Sequence, residues 1–245
     1  MKLLAAIGDF AFFCRDFVAA AVRRPPPLQQ ALREAYIIGV RSLPILLVIA
    51  GFVGTNLSIC GAAAFEPLGG QRLVGMFVAL AGLRELAPII AASMVAAKAG
   101  TEMASQIAVM RIREQIDALE VMAVSPHWYL ITPRLLGILL VMPALTVLAT
   151  FVMVGAAWLS AVYQLDLNGF EFMEFATGST TPMDLVYGAL KALVFAVLIC
   201  LICCFNGFRS EPGPEGVGRA TNRAVVVSAV TCVLLNYVLS ELLYG

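Results

Sequence analysis

Three charged side chains lie deep inside apolar stretches: Arg84 and Glu85 within Leu73–Ala97, and Lys191 within Met183–Phe208, whose outermost turn also holds Asp184. A charge at mid-bilayer costs about 2.5–3.5 kcal/mol even on lenient insertion scales, so such residues face a protein interior or a wet cavity. Neighbours in sequence point about 100° apart on a helix with 3.6 residues per turn, so Arg84 and Glu85 cannot neutralise each other along one face. Pro88 adds a second disturbance. Its ring crowds the carbonyl four residues back, that of Arg84, and predicts a kink there. Lys191 lies about 10 Å along its own helix from Asp184, at 1.5 Å per residue. Two chemistries follow. Arg84 and Lys191 could line a substrate cavity and hold an anionic head group, or Glu85 and Lys191 could pair and lock one span to another. The sequence leaves both open.

The elements that carry these residues are membrane spans. Of 245 residues, 61% are hydrophobic and 13% charged, with mean hydropathy +0.92. Soluble domains hold about 45–50% apolar and about 25% charged residues, so lipid must be the solvent here. Five stretches reach the length of about 20 apolar residues that a crossing needs: 42–65, 73–97, the run after Arg134 up to Asp166, 183–208 and 224–240. The fourth opens with a helix-start signature, Thr181 as cap, Pro182 in the first position and Asp184 in the third. Thirteen basic loop residues fall on one side of this arrangement and one, Arg72, on the other. Positive residues favour the cytoplasm, which predicts a cytoplasmic N-terminus and an external C-terminus. The equal totals of 16 basic and 16 acidic residues exclude the basic balance of a nucleic-acid binder.

Residues 1–36 form a separate N-terminal region, and 37–245 the membrane domain. Asp9 breaks the first apolar run, so these residues do not read as a signal peptide. Ile7, Phe10, Phe13, Cys14, Phe17 and Ala21 recur at helical spacing, which predicts an amphipathic helix on the inner membrane surface, ended by Pro25-Pro26-Pro27.

Between the second and third spans, Ile112, Ile116, Leu119 and Ala123 recur at helical spacing, while Glu114, Asp117 and Glu120 occupy another arc. Three carboxylates suit a negative lipid surface poorly, so an Ile112–Val124 helix is expected to dock a partner protein. The glycines of the stretch 206–221 do not make a phosphate cradle. A P-loop needs GxxxxGK[ST], and no Gly-Lys pair occurs in the chain. That stretch reads as a turn-rich loop. Energy for transport must then come from a partner or an ion gradient. Cys200, Cys203 and Cys204 sit in an apolar run without nearby His or carboxylate, and read as packing residues. His127 is the only histidine, so no metal site is expected.

These residues add up to a resemblance. Leu83-Arg84-Glu85-Leu86-Ala87-Pro88, Ala97-Lys98-Ala99-Gly100, the run Met110 to Met122 with its core Glu114-Gln115-Ile116-Asp117-Ala118-Leu119-Glu120-Val121-Met122, Pro133-Arg134 and Gly216-Val217-Gly218-Arg219-Ala220-Thr221 resemble the MlaE/YrbE permease family over about residues 37–243. The resemblance implies an all-α integral membrane protein of the bacterial inner membrane, with an interfacial N-terminal helix, five spans and a cytoplasmic coupling helix. It implies the membrane core of an ABC transporter moving phospholipids or related lipids, with no catalytic site or cofactor of its own. ATP would be bound by an MlaF-type cytoplasmic ATPase. An MlaD-type MCE-domain protein, in some systems a STAS-domain subunit, and a second permease copy, identical or different, would complete the assembly. Arg113, Glu114, Ile116, Asp117, Leu119, Glu120 and Met122 match the family's ATPase-coupling segment. Arg84, Glu85, Lys191 and Asp184 match polar residues near its lipid cavity. The chain departs from the family where Ala-Glu-x-Gly becomes Ser105-Gln106-Ile107-Ala108, an amide in place of a carboxylate. Set against this, an ion-coupled secondary transporter using Glu85 and Lys191 lacks the inverted repeat expected of it. An intramembrane enzyme lacks a nucleophile–base pair.

Overall fold

The computed structural model describes residues 2–22 and 26–244, apart from the side chains of residues 2–7, 22 and 68. Arg23, Arg24 and Pro25, and the side chain of Ile7, therefore lie outside the described residues. All regular structure among these residues is helical: α1 (Lys2–Val22), α2 (Leu28–Phe65), α3 (Leu73–Ala81), α4 (Ala87–Val95), α5 (Thr101–Ile112), α6 (Gln115–Val121), α7 (Pro126–Tyr163), α8 (Gly169–Gly178), α9 (Pro182–Phe208) and α10 (Pro214–Tyr244). π-helical turns at Gly82–Leu86 and Ala96–Gly100 join α3, α4 and α5 into one run. Five helical runs are long and apolar enough to cross a membrane: α2, Leu73–Ile112, α7, α9 and α10. The protein is an all-α membrane protein.

The helices outrun the apolar windows that announce them. A hydropathy window marks what lipid requires, but backbone hydrogen bonding carries a helix on through polar flanks. Thus α2 starts at Leu28 and α7 at Pro126, which makes Arg134 a helical residue rather than a loop residue. The stretch 206–221 is not one long loop either. α9 runs to Phe208 and α10 begins at Pro214, leaving 209–213 between them. Gly207 is there for close approach: a Cβ on it would stand 2.8 Å from the backbone oxygen of Ala104. Helix α8 appears where only a connection was expected, and its N-cap Asn168 accepts a hydrogen bond from Phe170 N at 3.0 Å.

The chain divides into two compact units. The first holds 1–41, 95–141 and 195–232. Its core includes Ile107, Ile131, Ile138, Ile199 and the buried Cys200, Cys203 and Cys204. Helix α1 is held by aromatic contacts as well as by amphipathicity. Phe13 and Phe17 are buried, Phe10 and Phe13 meet Phe205 edge-on, and His127 stacks on Phe208 with centroids 5.2 Å apart. Asp9 and Arg209 form an ion pair between α1 and the end of α9.

The second unit holds 42–94, 142–194 and 233–245. One cluster in it gathers Ala62, Val74, Val78, Ala79, Ala157, Ala161, Phe172 and Ala176. The small-residue pair Gly75 and Ala79 serves packing inside the chain. Gly75 faces the backbone oxygen of Phe172 so closely that no side chain fits, and α3 and α8 meet there.

Candidate functional site

The second unit gathers all four charges singled out in its sequence. Helix α9 supplies Asp184 and Lys191, seven residues or two turns apart and so on one face. Its start folds as its sequence predicts. Asp184 Oδ2 accepts from Thr181 N at 2.8 Å and from Thr181 Oγ1 at 3.0 Å, the reach-back half of a capping box. The other carboxylate oxygen accepts from Arg84 Nε at 2.8 Å.

Arg84 and Glu85 sit in the π turn Gly82–Leu86, and the disturbance expected from Pro88 takes that form. The mechanism is visible in the hydrogen bonds. Pro88 has no N–H, so the carbonyl of Arg84, four residues back, has no donor from its ordinary helical partner. Lys191 Nζ fills the gap, donating to Arg84 O at 2.7 Å. The same ammonium lies 3.2 Å from Glu85 Oε1 and 2.7 Å from Ser240 Oγ. Lys191 therefore has three acceptors for three N–H groups and no exposed surface. The Glu85–Lys191 ion pair expected from sequence forms. A buried ammonium is tolerable only when its hydrogen bonds are met, and here they are.

Helix α10 closes the network, and sequence reading missed it. Asn236 Nδ2 donates to Glu85 Oε2 at 2.6 Å, and Ser240 Oγ donates to Glu85 Oε1 at 2.6 Å. Tyr244 places its ring 4.7 Å from the Arg84 guanidinium and 5.0 Å from Lys191 Nζ. Tyr187 meets Tyr244 edge-on at 5.5 Å. The signal was available, since Asn236, Ser240 and Tyr244 recur every four residues and mark one stripe of a helix.

The result is two interlocked ion pairs, Arg84–Asp184 and Lys191–Glu85, of zero net charge. Burial divides them by role. Lys191 is enclosed and Asp184 nearly so, whereas the side chains of Arg84 and Glu85 keep 35% and 40% of their exposure. Arg84 and Glu85 are the two members with an open edge, and the other two hold them in place.

The residues expected to couple to an ATPase lie in the first unit and fold differently from the expected continuous helix. Ile112 ends α5, Arg113 and Glu114 form a turn, and only Gln115–Val121 is helical. Glu114 and Ala123 both have φ of 56°, left-handed positions that stop a helix at each side. Ile116 is buried and anchors α6, Leu119 is half-buried, and Asp117 pairs with Arg111 at 3.3 Å. Arg113, Glu114, Glu120, Val121 and Met122 are exposed, the last two with large apolar side chains at 89% and 64%.

Comparison with known proteins places this architecture. A probable ABC transporter permease of Rickettsia felis is 33% identical over the whole of this chain and 94% of its own length. The intermembrane phospholipid transport system permease MlaE of Haemophilus influenzae is 31% identical, covering 91% of this chain and 85% of its own. The chloroplast protein TRIGALACTOSYLDIACYLGLYCEROL 1 of Arabidopsis thaliana is 35% identical over 88% of this chain and 62% of its own. The family described as permease MlaE matches residues 31–242, and the chain belongs to that family.

Proposed function

We propose that this permease is the membrane core of an ABC-type transporter for phospholipids or related lipids in the inner membrane. The observation that carries the reading is the interlocked charge network inside spans, with Arg84 and Glu85 alone keeping open edges. A lipid head group offers a phosphate for Arg84 and, in zwitterionic lipids, a cation for Glu85. Two opposite charges held rigidly suit such a ligand better than an unpaired charge would. The name of the Haemophilus relative, a phospholipid transport permease, supports the same substrate class.

In this reading the N-terminus is cytoplasmic and the C-terminus periplasmic, as the basic residues suggest. A separate MlaF-type ATPase supplies the energy and grips the surface around α6, where Glu114, Glu120, Val121 and Met122 stand free of the core. An MlaD-type MCE protein receives or delivers the lipid, a STAS-domain subunit joins where one is present, and a second permease copy completes the pathway. The apolar residues exposed along α10, among them Val226, Val230, Val233 and Leu234, offer a surface to lipid or to that copy.

The test is co-purification of the chain with its ATPase, followed by lipid-stimulated ATP hydrolysis in phospholipid vesicles. Glu85→Gln should abolish the stimulation and leave the complex assembled. Lipid movement that persists without any ATPase would overturn the reading and favour ion coupling through Glu85 and Lys191.

A further inference from the structure

A second cation, Arg134 of α7, is buried without a counter-charge. It is 6% exposed, its Nη2 donates to Gln106 Oε1 at 2.9 Å, and its Nη1 has no partner. Gln106 brings no charge, because its own amide donates to Glu102 at 3.4 Å and Glu102 is taken by Arg41. The other ionisable groups acting in this neighbourhood are Cys200 and Cys204, whose thiols are weak hydrogen-bond partners, and Glu34 of α2. No ion pair joins Arg134 to a carboxylate among the described residues. A guanidinium removed from water in this state is costly unless an anion reaches it.

A cleft runs beside the guanidinium, whose Nη1 is itself enclosed. Arg134 lines an open cavity of about 400 Å³ together with Ser105, Gln106, Val109 and Met110 of α5. Its polar end holds the Arg134 guanidinium, the Gln106 amide and the Ser105 hydroxyl, which itself donates to Glu102 O at 3.0 Å, and its wall is apolar. Val109 is 38% exposed beside it. Arg134 is eight residues into α7, about 12 Å from the helix start at 1.5 Å per residue. Head groups flank a hydrocarbon core of about 30 Å, so a cation near a span's end meets phosphates and not acyl tails. Guanidinium groups match phosphate oxygens in a two-pronged geometry. An apolar wall next to that prong suits a molecule with both a phosphate and chains, and a free anion would gain nothing from it.

We propose that Arg134, Gln106 and Ser105 form a second lipid site, which takes the phosphodiester of an anionic membrane phospholipid with its chains along Val109 and Met110. The site is separate from the Arg84–Glu85 network and does not depend on what the permease transports. The amide at Gln106 is what creates it. A carboxylate at this position would supply the missing charge from within.

The full chain in non-ionic detergent micelles, titrated with short-chain phosphatidylglycerol, tests this. Gln106→Glu should remove one bound equivalent, or weaken it at least tenfold, with a melting temperature no lower than that of the unsubstituted protein. Gln106→Leu deletes the amide without adding charge and should weaken binding less than Gln106→Glu does. Equal binding by the Gln106→Glu protein, or equal loss in both variants, would overturn the proposal. So would inorganic phosphate displacing the lipid at the lipid's own half-saturating concentration, since the site would then take a free anion.

Discussion

Lys191 and Arg134 are both basic residues with almost no exposed surface, yet they are handled in opposite ways. Lys191 has a carboxylate, a hydroxyl and a backbone carbonyl around its three N–H groups. Arg134 has one amide oxygen, and one of its nitrogens has no partner. The first arrangement is complete within the chain, so removing any member leaves a buried group stranded. The second is incomplete, and adding a charge should improve it. Burial alone therefore says little about a charged residue. Whether its hydrogen bonds close within the protein separates a structural cation from one that waits for a ligand.

Substitution at Lys191 should break this contrast most forcefully. Lys191→Met strips the partly exposed Glu85 of its cation and leaves Arg84 O without a donor, a loss of about 3 kcal/mol, the low end for a broken buried pair because Glu85 keeps its open edge. Thermal unfolding in detergent, or the yield of folded protein, reads it. Adding Glu85→Gln should recover part of the loss, and a double variant no better than Lys191→Met would show that the pair is not the unit. Asp184→Ala removes a capping contact and the Arg84 partner together, and should cost about 2–3 kcal/mol. Thr181→Ala, which spares the ion pair, should cost only about 1 kcal/mol by the same measurement. Gln106→Glu carries the opposite sign. It should stabilise by up to about 1 kcal/mol, since the charge-assisted bond to Arg134 outweighs the lost donation to Glu102 and the like charge four residues away. Destabilisation would mean that Arg134 is already compensated. Met122→Asp changes an exposed side chain and should move stability by less than about 0.5 kcal/mol. In the complex, however, it should reduce lipid-stimulated ATP hydrolysis, and unchanged hydrolysis would move the docking surface elsewhere.

What could be read from sequence follows the range of the forces involved. Span number and the start of α9 depend on apolar run length and on contacts within three residues, Thr181 to Asp184, so they were legible. The Glu85–Lys191 pair was one of two readings, because cost alone says that a buried charge needs a partner without naming it. Asn236, Ser240 and Tyr244 were not found, since their role appears only when α10 meets residues 151 to 160 positions away. The glycines of 206–221 misled for a related reason. Glycine marks turns, but Gly207 is present because another helix's backbone passes beside it. The expected Ile112–Val124 helix has the right period and the wrong length. Periodicity cannot register that Glu114 and Ala123 turn left-handed.

Those two residues also have a mechanical consequence. A continuous helix behaves as a stiff rod, and a push on one end arrives at the other. A short helix set between two left-handed joints transmits differently, because each joint can yield by rotating a single pair of backbone angles. Load applied at Val121 and Met122 would then leave through the buried Ile116, the pin that fixes α6 to its unit, and not along the chain. If a partner loads α6, such a segment would act as a rocker on one pivot. Its stroke would be set by the room around one isoleucine, which makes Ile116→Val and Ile116→Met natural ways to loosen or tighten the linkage.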